Sequence, residues 1–190
     1  MDIAVPVKNL GPVDVAPLIK AVLAQDEASW FEQDYRQKSY DVHKETSSIV
    51  MIFCDDEWPN VSTFKDKGWD KLESALMPTI NRIIAENYPA GGTILRAMVA
   101  RLHPKGRITP HVDAKPSFHA GHRVHIPLVT NPACRFTVDG RPYKFEVGQA
   151  YEINNQKPHS VINNGRDNRL HIIFDYMPKG MNEEDDGSSR

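Results

Sequence analysis

The chain has 190 residues and a mass of 21.5 kDa, enough for one domain with a proper core and too little for a second of ordinary size. Apolar residues make up 40% and charged residues 25%; 23 basic against 25 acidic side chains leave a net charge of −2, which argues against a nucleic-acid binder that works through a strongly basic surface. No apolar run approaches the ~20 residues that span a bilayer, the start MDIAVPVKNLGPVDV lacks the charged-then-apolar signal pattern, and Cys54 and Cys134 match no zinc or redox spacing. The expectation is a cytoplasmic protein with reduced thiols, no membrane and no nucleic-acid partner.

The 14 prolines and 11 glycines punctuate the chain often, which favours many short elements over a helical bundle. Residues 1–90 read as mixed. Asp14 is placed to cap a short helix carrying Val15, Leu18, Ile19, Val22 and Leu23 on one side. The aromatics Trp30, Phe31, Tyr35 and Tyr40 follow, either as core or as a lid. SIVMIFC over 48–54 is a buried-strand candidate. Trp69, Leu72, Leu76, Ile80, Ile83 and Ile84 recur at helical steps, with Pro78 expected to kink or split that helix.

From Thr93 the rhythm changes to short β-rich segments, near 93–103, 108–111, 122–129, 135–138, 141–146, 149–153, 159–163 and 169–176, separated by turn signals. Asp139-Gly140 between two of them is a hairpin signal. Strands at this spacing suggest a β-sandwich or a jelly-roll barrel. The organisation expected is one domain over 1–180: a mixed α/β part over 1–90 packed on a β core over 91–178. The last ten residues, 181–190, form an acidic tail with too little apolar character to pack.

The chemistry centres on His111-Val112-Asp113. Alternate strand residues project to one face, so His111 and Asp113 can share a cavity. A third ligand must come from a distant strand, and His159, which opens another strand-like run, is the best candidate. Two imidazoles and one carboxylate on one side of a metal make a set suited to non-haem Fe(II) with open positions. Arg169 follows a turn at Asn163-Asn164-Gly165 and can return along a neighbouring strand; its guanidinium fork suits a carboxylate. Each residue also has a plainer reading. His111 and Asp113 can be an exposed polar pair, and Arg169 a surface ion pair with Asp167 or Asp175. His103, His119, His122 and His171 are not taken as ligands; His119 and His122 sit in a loop at 115–122 expected at the barrel mouth, and His171 reads as a core residue or a support for the site.

The set His111, Asp113, His159 and Arg169 resembles the Fe(II)- and 2-oxoglutarate-dependent dioxygenases. The strings RVHIPLVTN at 123–131, GQAYEINN at 148–155 and PHSVINN at 158–164 resemble its aspartyl/asparaginyl β-hydroxylase-like branch, which includes free proline hydroxylases. The likeness covers roughly 93–177. It implies a mainly β fold with flanking helices, a double-stranded β-helix (jelly-roll, cupin-like) barrel. It implies iron held by His111, Asp113 and His159, and Arg169 paired with the distal carboxylate of 2-oxoglutarate. It also implies that Arg123 and His125, an Arg-x-His, lie near the co-substrate's metal-bound end; the plainer readings are a rim arginine that touches nothing and a core histidine. Animal aspartyl hydroxylases carry glycine where this chain has Asp113, and a hydroxyl that assists the distal carboxylate there falls at Ala100 here.

The activity implied is hydroxylation of an unactivated C–H on an amino acid or an aspartyl/asparaginyl-like residue, using O2 and coupled to conversion of 2-oxoglutarate to succinate and CO2. The substrate would be a small molecule or a peptide. Two other functions fit the residues alone: a metal-dependent hydrolase or isomerase on a cupin-like barrel, and a non-catalytic barrel that binds a small carboxylate.

Overall fold

The computed structural model describes residues 1–32 and 44–182. The expectations for Tyr35, Tyr40 and most of the acidic tail fall outside these residues. In chain order the described elements are β1 (Val7–Pro12), α1 (Ala16–Leu23), a 3-10 turn (Ala28–Trp30), β2 (Thr46–Cys54), β3 (Thr63–Lys65), α2 (Trp69–Asn87), β4 (Thr93–Leu102), β5 (Arg107–His111), α3 (Pro116–Ala120), β6 (His122–Val129), β7 (Cys134–Val138), β8 (Arg141–Tyr143), β9 (Gln149–Ile153), β10 (His159–Asn163) and β11 (Arg169–Met177).

The strands form two antiparallel sheets, one of seven strands in the order β1-β9-β6-β11-β4-β2-β3 and one of four in the order β5-β10-β7-β8. This is the jelly-roll arrangement: a mainly β fold with helices on one flank. The eight strand segments expected beyond residue 90 all form. At the β7–β8 hairpin Asp139 and Gly140 both take positive φ, 51° and 72°, the geometry a two-residue turn needs to match strand twist.

The larger sheet has two different faces, because strand side chains alternate. One face carries Ile49, Met51, Ala97, Val99, Ile126 and Phe174, and packs against Leu18 and Val22 of α1 and Leu72, Leu76, Ile80 and Ile83 of α2. The opposite face looks across at the smaller sheet. There Leu102, Phe136, Val138, Tyr151, Ile153 and Val161 close one part of the interior.

Three expectations change. Residues 1–90 do not form a separate layer packed on the β core, since β1, β2 and β3 all belong to the same seven-stranded sheet as β4, β6, β9 and β11. β1 was hidden because VKNLGP mixes polar residues with Gly and Pro; it is an edge strand, bulged between Asn9 and Gly11, where a ladder tolerates both. Pro78 does not split its helix, which runs unbroken from Trp69 to Asn87. An interior proline costs about 3 kcal/mol. Four fully buried Leu and Ile side chains at roughly 1.5–3 kcal/mol each outweigh it. Finally, α1 starts at Ala16, but Asp14 still serves its first turn: the Ala16 N–H donates to Asp14 Oδ1 at 3.2 Å.

The packing of α2 on the sheet can be tested at Leu76, which has no exposed surface. Leu76→Ala should lower the free energy of unfolding by about 2–5 kcal/mol, measured by denaturant titration.

Candidate metal centre and its cavity

β10 runs antiparallel to β5 and sets His159 directly opposite His111. The two rings lie 4.3 Å apart between centroids. Asp113 stands just past the end of β5, off the strand, where its N–H donates to the Asn155 carbonyl at 3.2 Å. One donor atom from each of His111, Asp113 and His159 lies within 4.8 Å of the others. Asp113 Oδ1 is 3.9 Å from His111 Nε2, and Oδ2 is 3.9 Å from His159 Nε2.

Each histidine is oriented through its other nitrogen. Nδ1 of His111 lies 2.8 Å from the Thr109 carbonyl, and Nδ1 of His159 lies 3.1 Å from the Lys157 carbonyl. Donation from Nδ1 selects the tautomer with its lone pair on Nε2, as metal-ligating histidines require. Burial lowers the His159 pKa to about 4, against the pull of Asp113, so the ring is held in the neutral form that binds a cation. Two imidazoles and one carboxylate, all supported from behind, fit a divalent metal.

Asp113 is supported too. Its Oδ2 accepts from Arg123 Nη1 and, at 3.4 Å, from Asn155 Nδ2. Arg123 in turn forks onto Asp175, with Nε on Oδ1 and Nη2 on Oδ2, both at 2.8 Å. Asp175 faces Arg123 across β6 and Arg96 across β4, and Arg96 Nη1 reaches it at 3.4 Å. Arg96 then donates to Asp56 and Ser117, and Lys115 Nζ bonds Asp56 Oδ2 at 2.8 Å. A chain of alternating charge therefore runs from Asp113 to the 55–62 loop. Burial alone would lower the Arg123 pKa and raise that of Asp175; their mutual attraction, aided by Asp113 and Arg96, reverses both.

Arg169 is the contrast. It is 3% exposed, and no carboxylate among the described residues acts on it. Its Nη2 donates to His171 Nδ1 at 2.6 Å, and its guanidinium lies 5.6 Å from the Phe136 ring. Burial lowers its pKa to about 10. The surface ion pair with Asp167 or Asp175 does not form, since Asp175 is committed to Arg123 and Arg96. His125 Nδ1 lies 3.4 Å from His171 Nδ1, within the layer formed by Phe136 and Phe145.

All six expected site residues, His111, Asp113, Arg123, His125, His159 and Arg169, border one cavity of about 560 Å³ between the two sheets. Arg123 is no idle rim residue; it is half-buried and bonded to two carboxylates. Ala100 also lines the cavity, paired in register with His171 on one side and Ser48 on the other. The remaining histidines stay off the metal group: His119 Nε2 lies 3.3 Å from the Ala114 carbonyl on the short helix α3, which forms where a loop was expected, and His122 Nδ1 meets Glu152 at 2.5 Å. Trp30 is core beneath Arg101, while Phe31 is exposed. Asp56, Arg96 and Asp175 were not singled out as site residues from sequence. Their signal was a charge inside an apolar strand, at Arg96 in β4 and Asp175 in β11.

The model of the aspartyl/asparaginyl β-hydroxylase family matches residues 19–178. The chain belongs to this family. As a member of these 2-oxoglutarate-dependent oxygenases, it resembles an L-proline cis-4-hydroxylase of Rhizobium meliloti, 22% identical over 103 residues, a match that spans 54% of this chain and 36% of the relative. Its fold is similar to a 2-oxoglutarate–Fe(II) oxygenase family oxidoreductase from Burkholderia pseudomallei (TM-score 0.53, 18% identity, 82% of this chain and 80% of that one). It is also similar to a prolyl-4-hydroxylase from Pseudomonas putida (TM-score 0.50, 14% identity, 93% of this chain and 95% of that one). No described helix is long and apolar enough to cross a membrane.

A bound cation stabilises whichever state holds it. Mn2+ at about a hundred times its Kd should add about 2.7 kcal/mol to the stability of the wild-type family member, reversed by chelator. His159→Ala should abolish that increment, as read by thermal unfolding with and without Mn2+.

Proposed function

We propose that this chain is an Fe(II)- and 2-oxoglutarate-dependent hydroxylase acting on an unactivated C–H of an amino acid or an aspartyl/asparaginyl-like residue. His111, Asp113 and His159 hold the ferrous ion, and Arg169 pairs with the distal carboxylate of 2-oxoglutarate. The bound iron supplies the oxidative chemistry, with O2 as oxidant, that couples decarboxylation of 2-oxoglutarate to succinate and CO2 with hydroxylation.

The observation that carries the reading is Arg169. Burying a guanidinium with no anion beside it costs several kcal/mol. A chain that keeps such a cation on the same cavity as a metal-ligand group offers a receptor for a carboxylate, and a bidentate charge-assisted pair is the strongest contact it can make. A hydrolase on the same barrel has no use for this residue. A plain carboxylate binder has no use for the two histidines aligned through their Nδ1 atoms. The apolar wall of the cavity, Met98, Leu102, Ile108, Phe136, Val161 and Ile173, keeps water from the reacting groups. His171 turns its Nδ1 lone pair to Arg169 and holds the fork in place.

The substrate would be a small molecule or a peptide side chain. Two free thiols, Cys54 and Cys134, support a reducing compartment such as the cytoplasm.

Purified protein with Fe(II), ascorbate and labelled 2-oxoglutarate should release CO2, faster with its substrate, whose product gains one oxygen in mass. Absence of both turnover and 2-oxoglutarate binding would remove the proposal. Arg169→Ala should raise the 2-oxoglutarate concentration for half-maximal CO2 release by at least about thirtyfold, the equivalent of about 2 kcal/mol or more. Asp113→Ala should abolish turnover with the fold intact by circular dichroism; persisting turnover would mean that two histidines suffice.

A further inference from the structure

Arg123 has a job that its place beside the cavity does not by itself reveal. Its three nitrogens are all directed at carboxylates: Nε and Nη2 at the two oxygens of Asp175, Nη1 at Asp113 Oδ2. Asp175 is 1% exposed and sits opposite Arg123 in the β6–β11 register, so the fork cannot turn without breaking two hydrogen bonds. The Phe118 ring covers the guanidinium at 4.7 Å. Both hydrogen bonds received by the Asp113 carboxylate, from Arg123 and from Asn155, fall on Oδ2. Oδ1 is left on the side of His111.

We propose that Arg123, clamped by Asp175, is a positioning residue for the metal ligand Asp113 and not a contact for the co-substrate's metal-proximal carboxylate. The proposal rests on the metal-centre reading above. The pair does for the carboxylate what the Thr109 and Lys157 carbonyls do for the two imidazoles: it fixes the group's orientation, with Oδ1 3.9 Å from His111 Nε2 and Oδ2 3.9 Å from His159 Nε2. Asp175 has a second effect. Its negative charge offsets Arg123, whose positive charge would otherwise weigh against a cation at Asp113. Without Asp175 the carboxylate loses its fixed orientation and the arginine competes with the metal.

The test separates metal affinity from co-substrate affinity. Mn2+ binding alone is titrated by electron paramagnetic resonance, then 2-oxoglutarate binding is titrated with Mn2+ saturating, in wild type, Asp175→Asn, Arg123→Lys and Arg169→Ala. Asp175→Asn should weaken Mn2+ binding tenfold to a hundredfold. Arg123→Lys, which keeps the charge but lacks a fork to span both carboxylates, should weaken it in the same direction. Both should bind 2-oxoglutarate within about twofold of wild type once Mn2+ is saturating, whereas Arg169→Ala should show the reverse pattern. If Asp175→Asn unfolds, Arg123→Lys and the charge-neutral double variant Asp175→Asn/Arg123→Gln carry the same expectation in a fold verified by thermal melting. Unchanged Mn2+ affinity with weakened 2-oxoglutarate binding would overturn the proposal and return Arg123 to the co-substrate. A wild-type protein that binds no Mn2+ would instead sink the metal-centre reading, and this proposal with it.

Discussion

The pairing of β5 with β10 is the constraint on which the site depends. These strands are far apart in sequence, and their antiparallel register puts His159 opposite His111. A one-residue slip would send one ring to the other face of the sheet. The register is supported from both sides, since β10 also pairs with β7 through five consecutive partners. The carboxylate is not subject to the same rule. Asp113 lies beyond the end of β5, and its place comes from backbone and side-chain hydrogen bonds to Asn155 and from Arg123. Two ligands are thus set by a sheet, and the third by a separate polar scaffold.

The seven-stranded sheet makes that scaffold affordable. One face is apolar and is covered by α1 and α2. The other carries a row at each level of the cavity. Arg123, Asp175 and Arg96 share one level; His125, Ile173 and Met98 the next; Pro127, His171 and Ala100 the one after. Charges buried in such numbers destabilise a fold unless each meets its opposite. At the first level the signs alternate across three strands, so desolvation is offset pair by pair.

Much of this could be read from the chain. His111, Asp113, His159 and Arg169 could be picked out as a metal-ligand set with a carboxylate anchor, and the strands near them follow from dense β-formers between turn signals. The hairpin at Asp139-Gly140 is local chemistry and forms as read. What escaped was non-local. Nothing near Asp175 in sequence says that two arginines from flanking strands converge on it, and the same residue looked like a partner for Arg169. β1 escaped because an edge strand needs neither apolar alternation nor freedom from proline. Pro78 misled because the rule for an isolated helix ignores the four buried side chains that hold α2 on the sheet.

Arg123 and Arg169 stand in different surroundings. Both line the same cavity, Arg169 buried and Arg123 half-buried, and desolvation acts on both in the same sense. They differ in company. Arg123 is bracketed by two carboxylates of the chain itself; Arg169 has a histidine, an aromatic ring and a thiol. A guanidinium already forked onto one carboxylate and bonded to another has little left to offer an incoming acid. One that, among the described residues, bonds an imidazole and meets no carboxylate is suited to receive it. In the proposed function the first is spent on holding the iron ligand and the second on holding the co-substrate, and the division follows from where Asp175 and Asp113 stand.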